Sequence, residues 1–213
     1  MLVFSSAVAT WCSDGSDAGT GTDGDIAWSV NGVTLELSLK DGHTGAAMKD
    51  YSESSRPGWE NDSGWSNVTA VTIATEIISI GEYAFYVGSG TSHIQSVTFG
   101  TDTQILSVGK YAFYNCTTLT TVSIPDGITL VSDHAFYGCT GITAITIPNN
   151  VASIGQYAFY GCTGLATVTF GAGVKAEIGI ANTAFLGCDA LTAFALTGTS
   201  STLYVDDKGV LFN

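Results

Sequence analysis

Four of the five cysteines recur at one repeat position, Cys116, Cys139, Cys162 and Cys188, in steps of 23, 23 and 26 residues. Thiols spaced this way could cross-link, hold a metal or pack as small buried groups. Zinc would need CxxC-type pairs or accompanying histidines, and the sequence has neither. Stacked coils would bring neighbouring cysteines within Cα reach of a disulfide, but parallel, in-register Cβ vectors rarely give the torsion that bond requires. The expectation is a column of free thiols that fill space and hydrogen-bond the loop backbone. Cys12 lies outside the series and reads as a free thiol.

Other reactive side chains offer less. His43, His93 and His134 are scattered, and no Gly-x-Ser-x-Gly, HExxH or phosphate-loop pattern places a nucleophile beside a base. No catalytic residue, metal site or cofactor is therefore expected, and the chain reads as a non-enzyme. The segment CSDGSDAGTGTDGD sets Asp14, Asp17, Asp23 and Asp25 among glycines, but it lacks the D-x-[DN]-x-[DN]-G order of a calcium loop. A flexible acidic lead fits that composition better.

The tyrosines are more regular. One column runs Tyr83, Tyr111, His134, Tyr157, and a second runs Tyr86, Tyr114, Tyr137, Tyr160. Tyrosine suits interfaces because its ring makes contact while its hydroxyl stays wet. Two readings stand: the rings stack on themselves and shield the core, as expected in a stacked repeat, or they form a partner-binding surface. The candidate partner residues are Tyr83, Tyr86, Tyr111, Tyr114, Tyr137, Tyr157 and Tyr160, with His93 in the irregular VGSGTSH loop.

These side chains are placed by a unit repeated five times around an Ala-Phe pair: IGEYAFY, VGKYAFY, VSDHAFY, IGQYAFY and IANTAFL. Its phenylalanines, Phe85, Phe113, Phe136, Phe159 and Phe185, lie 28, 23, 23 and 26 residues apart, a period that signals a solenoid. Between the pairs lie alternating segments at 68–73, 94–99, 119–124, 142–147, 165–170 and 191–196. Alternation of this kind is a strand with one buried face, so Val122 and Ile124 point inward while Thr121 and Ser123 point out. Strands repeated in one direction pair in parallel, and the six are expected to form one curved sheet with the Phe column stacked behind it. Pro125 and Pro148 each follow a strand and lack a ladder donor, which marks where pairing stops. The outward residues Thr72, Thr98, Thr121, Ser123, Thr146, Thr167 and Thr169 offer an alternative binding face on the concave side, but one without an aromatic or charged anchor.

The chain divides into a flexible acidic lead over 1–25, a β-rich N-terminal cap over 26–66 and the solenoid over 67–213. The opening MLVFSSAVAT has two readings, the remnant of a signal peptide or an ordinary apolar N-terminus. In the cap, Trp28, Trp59 and Trp65 with Met48 and Tyr51 are expected to cover the apolar end of the first coil. The formal net charge is −13 over 213 residues with six Lys plus Arg, which repels nucleic-acid phosphate and anionic lipid. No run reaches the length of a membrane span, so no membrane insertion is expected.

The I-G-x-x-A-F-x-x-C unit with its Pro-containing turn resembles the BspA-like branch of the leucine-rich repeat proteins, over Val68 to about Leu196. The closing LYVDDKGVLFN is similar to a strand-turn-strand variant of that unit. The resemblance implies a β-rich leucine-rich repeat solenoid, a right-handed coil with a parallel concave sheet. It also implies a secreted or surface-displayed bacterial protein that adheres to, or interacts with, an extracellular or host protein. Two alternatives stay open: a stalk that self-associates through the solenoid end, and a carbohydrate-binding module suggested by Trp59 and Trp65 near Glu60 and Asp62.

Overall fold

Alternation and turn chemistry set the N-terminal region. The computed structural model describes residues 20–40, 43, 45–61, 63–100, 105–171, 178–197, 204–205 and 211–212. Strands β1 (Thr20–Asp23), β2 (Ile26–Asn31) and β3 (Thr34–Leu39) pair antiparallel. The Gly32-Val33 turn between β2 and β3 puts Gly32 at φ 59°, the left-handed geometry that tight hairpins need. After β4 (Ala46–Ala47), two 3-10 turns at Gly58–Asn61 and Trp65–Asn67 lead into the repeats.

The coils then run as two ladders. Along the front lie β5 (Ala70–Ile73), β7 (Ser96–Phe99), β9 (Thr121–Val122), β11 (Ala144–Ile147), β13 (Thr167–Phe170) and β15 (Ala193–Leu196). Along the other side lie β6 (Ile77–Ile80), β8 (Ser107–Val108), β10 (Leu130–Val131), β12 (Ser153–Ile154) and β14 (Gly179–Ile180). This second parallel sheet, which β4 extends at its N-terminal end, was not anticipated from the sequence. At the far end β16 (Tyr204–Val205) and β17 (Leu211–Phe212) pair antiparallel. No helix among the described residues is long and apolar enough to cross a membrane.

The front ladder keeps the expected register. Val71, Val97 and Val122 are opposite one another, as are Ile145, Val168 and Phe194. It is not one sheet, however. β3 pairs in parallel with β5, joining the N-terminal strands to β7 and β9, while β11, β13 and β15 form a separate sheet.

The prolines supply the reason for the split. Gly100 N donates to Ile73 O and Gly171 N to Ile147 O at 2.8 and 2.9 Å, closing the ladder at the strand exits. Pro125 and Pro148 occupy the matching positions on the third and fourth coils and have no N–H. β9 therefore loses an exit bond on both sides, and Ser123 and Ile124 fall outside the strand.

The core lies between the ladders and the Ala-Phe turns. Phe85, Phe113, Phe136, Phe159 and Phe185 stack nearly parallel with centroids 5.1–5.3 Å apart. Trp59, fully buried, stacks on Phe85 at 5.8 Å, and Tyr51 meets Trp59 edge-on, so the cap continues the column. Each buried Phe contributes on the order of 1.5–3 kcal/mol. The flexible lead is corrected at its end: Thr20–Asp23 is strand. Asp23 is buried there, paired with Lys49 and accepting the Gly58 N–H at 3.0 Å. Burial disfavours its charge, but Lys49 and the Gly58 N–H outweigh this and hold its pKa below the ordinary carboxylate value. Cys12, Asp14, Asp17, Asp62 and the acidic turn at 206–210 lie outside the described residues.

Candidate functional site

The tyrosine columns arise from one backbone device. Tyr83, Tyr111, His134 and Tyr157 all adopt φ between 56 and 58°, the left-handed region that bulky residues usually avoid. That conformation reverses the chain so that the following Ala and Phe point inward. It also closes a turn in which Tyr86 N donates to Tyr83 O and Tyr114 N to Tyr111 O, both at 3.2 Å. The two columns thus lie side by side, with rings 5.1–5.8 Å apart across the turn. The strain, about 1–3 kcal/mol per residue, is offset by bonds to the next coil.

Those inter-coil bonds are regular. Phe85, Phe113, Phe136 and Phe159 each donate N–H to the Ala carbonyl of the next coil at 2.8 Å. Tyr83 N reaches Lys110 O at 3.0 Å and His134 N reaches Gln156 O at 2.9 Å. At the last coil Thr183 stands where the tyrosine would be. It does not take the left-handed conformation, and its Oγ1 accepts the Tyr157 N–H at 3.3 Å instead of a backbone carbonyl.

Successive coils bring the rings of each column face to face. Centroid separations are 4.7–5.2 Å along Tyr83, Tyr111, His134 and Tyr157, and 4.6–5.0 Å along Tyr86, Tyr114, Tyr137 and Tyr160. Self-stacking uses the interior π faces, so what these half-buried residues can offer a partner is ring edges and hydroxyls. Arg56 closes the N-terminal end. Its guanidinium lies 5.2 Å over the Tyr86 ring, binds the Tyr83 and Tyr86 carbonyls, and forks onto Glu60. Tyr86 Oη donates to Glu53 at 2.9 Å, and burial together with that carboxylate pushes the phenol up to about 12. Sequence reasoning missed Arg56, although it is the only arginine in the chain.

The cysteine column has a structural role. Sγ–H of Cys116, Cys139, Cys162 and Cys188 donates to the carbonyls of Phe85, Phe113, Phe136 and Phe159 at 3.1–3.2 Å, one coil back. All four are free and buried, as expected. Burial pushes Cys116 up to about 12 and raises Cys139, and the neighbouring Cys188 thiol together with burial raises Cys162, which keeps these three thiols protonated and unreactive at neutral pH.

The strand face is smoother. Thr72, Thr98, Thr121, Ser123, Thr146 and Thr167 are exposed and Thr169 is half-buried. Thr72 pairs with Thr98 and Thr146 with Thr169, but the break between β9 and β11 interrupts the row. Thr98, Thr121 and Ser123 share a cleft of about 530 Å³ with Phe99 and the exposed Asp126, and the exposed Glu36 stands opposite Thr72, but the row itself presents hydroxyls rather than stacked aromatic rings.

The first coil departs from the rest for a local reason. Asn115, Gly138, Gly161 and Gly187 follow the second column at φ 57–76°, whereas the first coil carries Val87 there. β-Branched valine resists that region, so the compact turn gives way to the longer Gly88–Thr91 loop. Behind the loop is a cleft of about 330 Å³ lined by Trp65, Tyr86 and His93 among others. Trp59 is corrected as a carbohydrate platform: it is fully buried in the aromatic column, and Trp65 alone of that pair reaches the cleft.

Known proteins share this architecture. A leucine-rich repeat protein from Eubacterium ventriosum matches with TM-score 0.72 at 20% identity, over 93% of this chain and 49% of that one. The T. pallidum leucine-rich repeat protein matches with TM-score 0.58 at 17% identity, covering 83% of this chain and 82% of that one. The pneumococcal vaccine antigen PcpA matches with TM-score 0.56 at 19% identity, over 87% of this chain and 40% of that one. The chain thus spans about half the length of the Eubacterium ventriosum protein. No curated protein matches it. A family model for the BspA type leucine rich repeat region, in 6 copies, matches residues 63–192. With the Ala-Phe turns and parallel ladders found over that same stretch, the chain belongs to the BspA-type leucine-rich repeat family.

Proposed function

We propose that the chain is a non-enzymatic protein-interaction module of a secreted or surface-displayed bacterial protein, engaging an extracellular or host protein in an adhesive role. The observation that carries this reading is the pair of tyrosine columns on one continuous backbone frame. Stacking fixes the rings before binding, so little side-chain entropy remains to be lost, and aligned hydroxyls face outward for hydrogen bonding. The exposed threonines offer no comparable row of stacked aromatic rings. A surface that relies on Ser, Thr, Asn and Gly, with only 12% charged residues, also suits an extracellular setting.

The test is surface plasmon resonance against a panel of purified extracellular-matrix proteins, with single and double Tyr114→Phe and Tyr137→Phe variants that keep the stack and remove the hydroxyl. Saturable binding that weakens about ten-fold in the double variant supports the reading, since a factor of ten is about 1.4 kcal/mol. Binding that is unchanged while the fold is intact moves the interface elsewhere.

A further inference from the structure

The cleft at the first coil is a place where the repeat has been opened. In the later coils the cysteine occupies the inside of the turn, as Cys116 does against the Phe85 carbonyl. The first coil has no cysteine there, and the Gly88–Thr91 loop stands away over Phe85 and Ile94. Its volume of about 330 Å³ falls at the small end of the roughly 300–1,000 Å³ typical of small-molecule sites.

We propose that this cleft is a binding subsite for a neutral pyranose sugar. Trp65, half-buried and edge-on to His93 at 4.7 Å, gives an aromatic surface for the apolar C–H face of a sugar ring. Donors and acceptors alternate around it. Glu53 is exposed and takes one hydrogen bond, from Tyr86, which leaves its other oxygen as an acceptor. Arg56 Nη1 has one proton committed to the Tyr83 carbonyl and a second to give. His93 Nδ1 is engaged with the Val68 carbonyl, so in the neutral ring Nε2 is an acceptor.

Charge selects the class of guest. A cationic side chain would find the Tyr86 face already covered by the Arg56 guanidinium, and both Glu60 oxygens held by the same group. An anion would meet Glu53 and Glu60 at the rim. A polyol uses both donors and acceptors and brings no charge to desolvate.

The experiment is NMR titration of the full chain with glucose, galactose, mannose and N-acetylglucosamine, following the Trp65 indole N–H, assigned by its loss in Trp65→Ala, and the backbone amides of Gly88–Thr91, which report in every variant. Saturable shifts at millimolar concentration with at least one sugar are expected. They should weaken about ten-fold in Trp65→Ala and three-fold or more in Glu53→Gln, and persist in Tyr137→Ala, which separates this site from the middle of the tyrosine wall. Glu53 is exposed, so its variant decides the matter even where Trp65→Ala fails to fold. Absence of saturable shifts with all four sugars overturns the proposal. So does sugar binding that Glu53→Gln leaves unchanged, or tighter, salt-sensitive occupation of the cleft by a Lys-Arg-Lys tripeptide.

Discussion

From Phe85 to Phe185 every coil junction of the Ala-Phe wall repeats the same 2.8 Å backbone bond and the same ring stack, whereas the front ladder loses its pairing between β9 and β11. Both walls descend from the same repeat, so the difference is local chemistry. The front depends on N–H donors at its strand exits, and two prolines remove them from either side of one strand. The wall depends on buried rings and on turn bonds that no proline interrupts. Coil register is therefore carried across the break by the wall together with the second sheet, in which β10 pairs with β12, and the tyrosines ride on a more continuous surface than the front ladder.

The strongest way to break this contrast is Phe136→Ala, which removes the ring stacked on both Phe113 and Phe159. It should destabilise the protein by about 3–5 kcal/mol in urea unfolding, while truncating an exposed front residue such as Thr146→Ala should change stability by less than about 0.5 kcal/mol. Cys139→Ala comes next. It deletes the thiol that donates to the Phe113 carbonyl and leaves a small void, for a loss of about 1–2 kcal/mol in the same assay.

Pro125→Ala sharpens the contrast from the other side. It supplies an N–H opposite the Phe99 carbonyl, worth about 0.5–1.5 kcal/mol, against about 0.4–1 kcal/mol from the looser unfolded chain. Net stability should therefore move by less than about 1 kcal/mol, while amide exchange slows at residues 123 and 124. The smallest effect concerns acid. Burial lowers the His134 pKa from its ordinary 6.5, helped by Lys110 and opposed by Asp133. The unfolded chain then takes up the proton first, so this contribution to stability is present above pH 6.5 and is lost as pH falls through the folded value. His134→Tyr should remove that part of the pH dependence in melting curves between pH 7 and 5.

Much of the scaffold was legible because two signals of different period coincide. Alternation marked the front strands, and the 23-residue step of Phe113, Phe136 and Phe159 fixed their register. The second sheet was not legible, because strands of two residues such as Ser107–Val108 show no alternation to detect. Both prolines were visible, but the split follows only once they are seen to act on the same strand. The tyrosine columns could be read from spacing. Their left-handed backbone could not, since tyrosine gives no sign of it and only the later Asn115, Gly138 and Gly161 positions carry residues that favour such a turn. Arg56 escaped notice because it reaches Tyr83 and Tyr86 from 27 and 30 residues away, a contact no periodicity encodes.

Native-state hydrogen exchange on the folded chain tests the contrast most directly. The amides of Phe113, Phe136 and Phe159, bonded across coils inside the aromatic wall, should exchange only through global unfolding. Those of Ser123, Ile124 and Ala144 beside the break should exchange through local opening, at lower free energy and with little denaturant dependence. Equal protection on the two sides, or faster exchange at the phenylalanines, would contradict the conclusion that the Ala-Phe wall holds the coils in register.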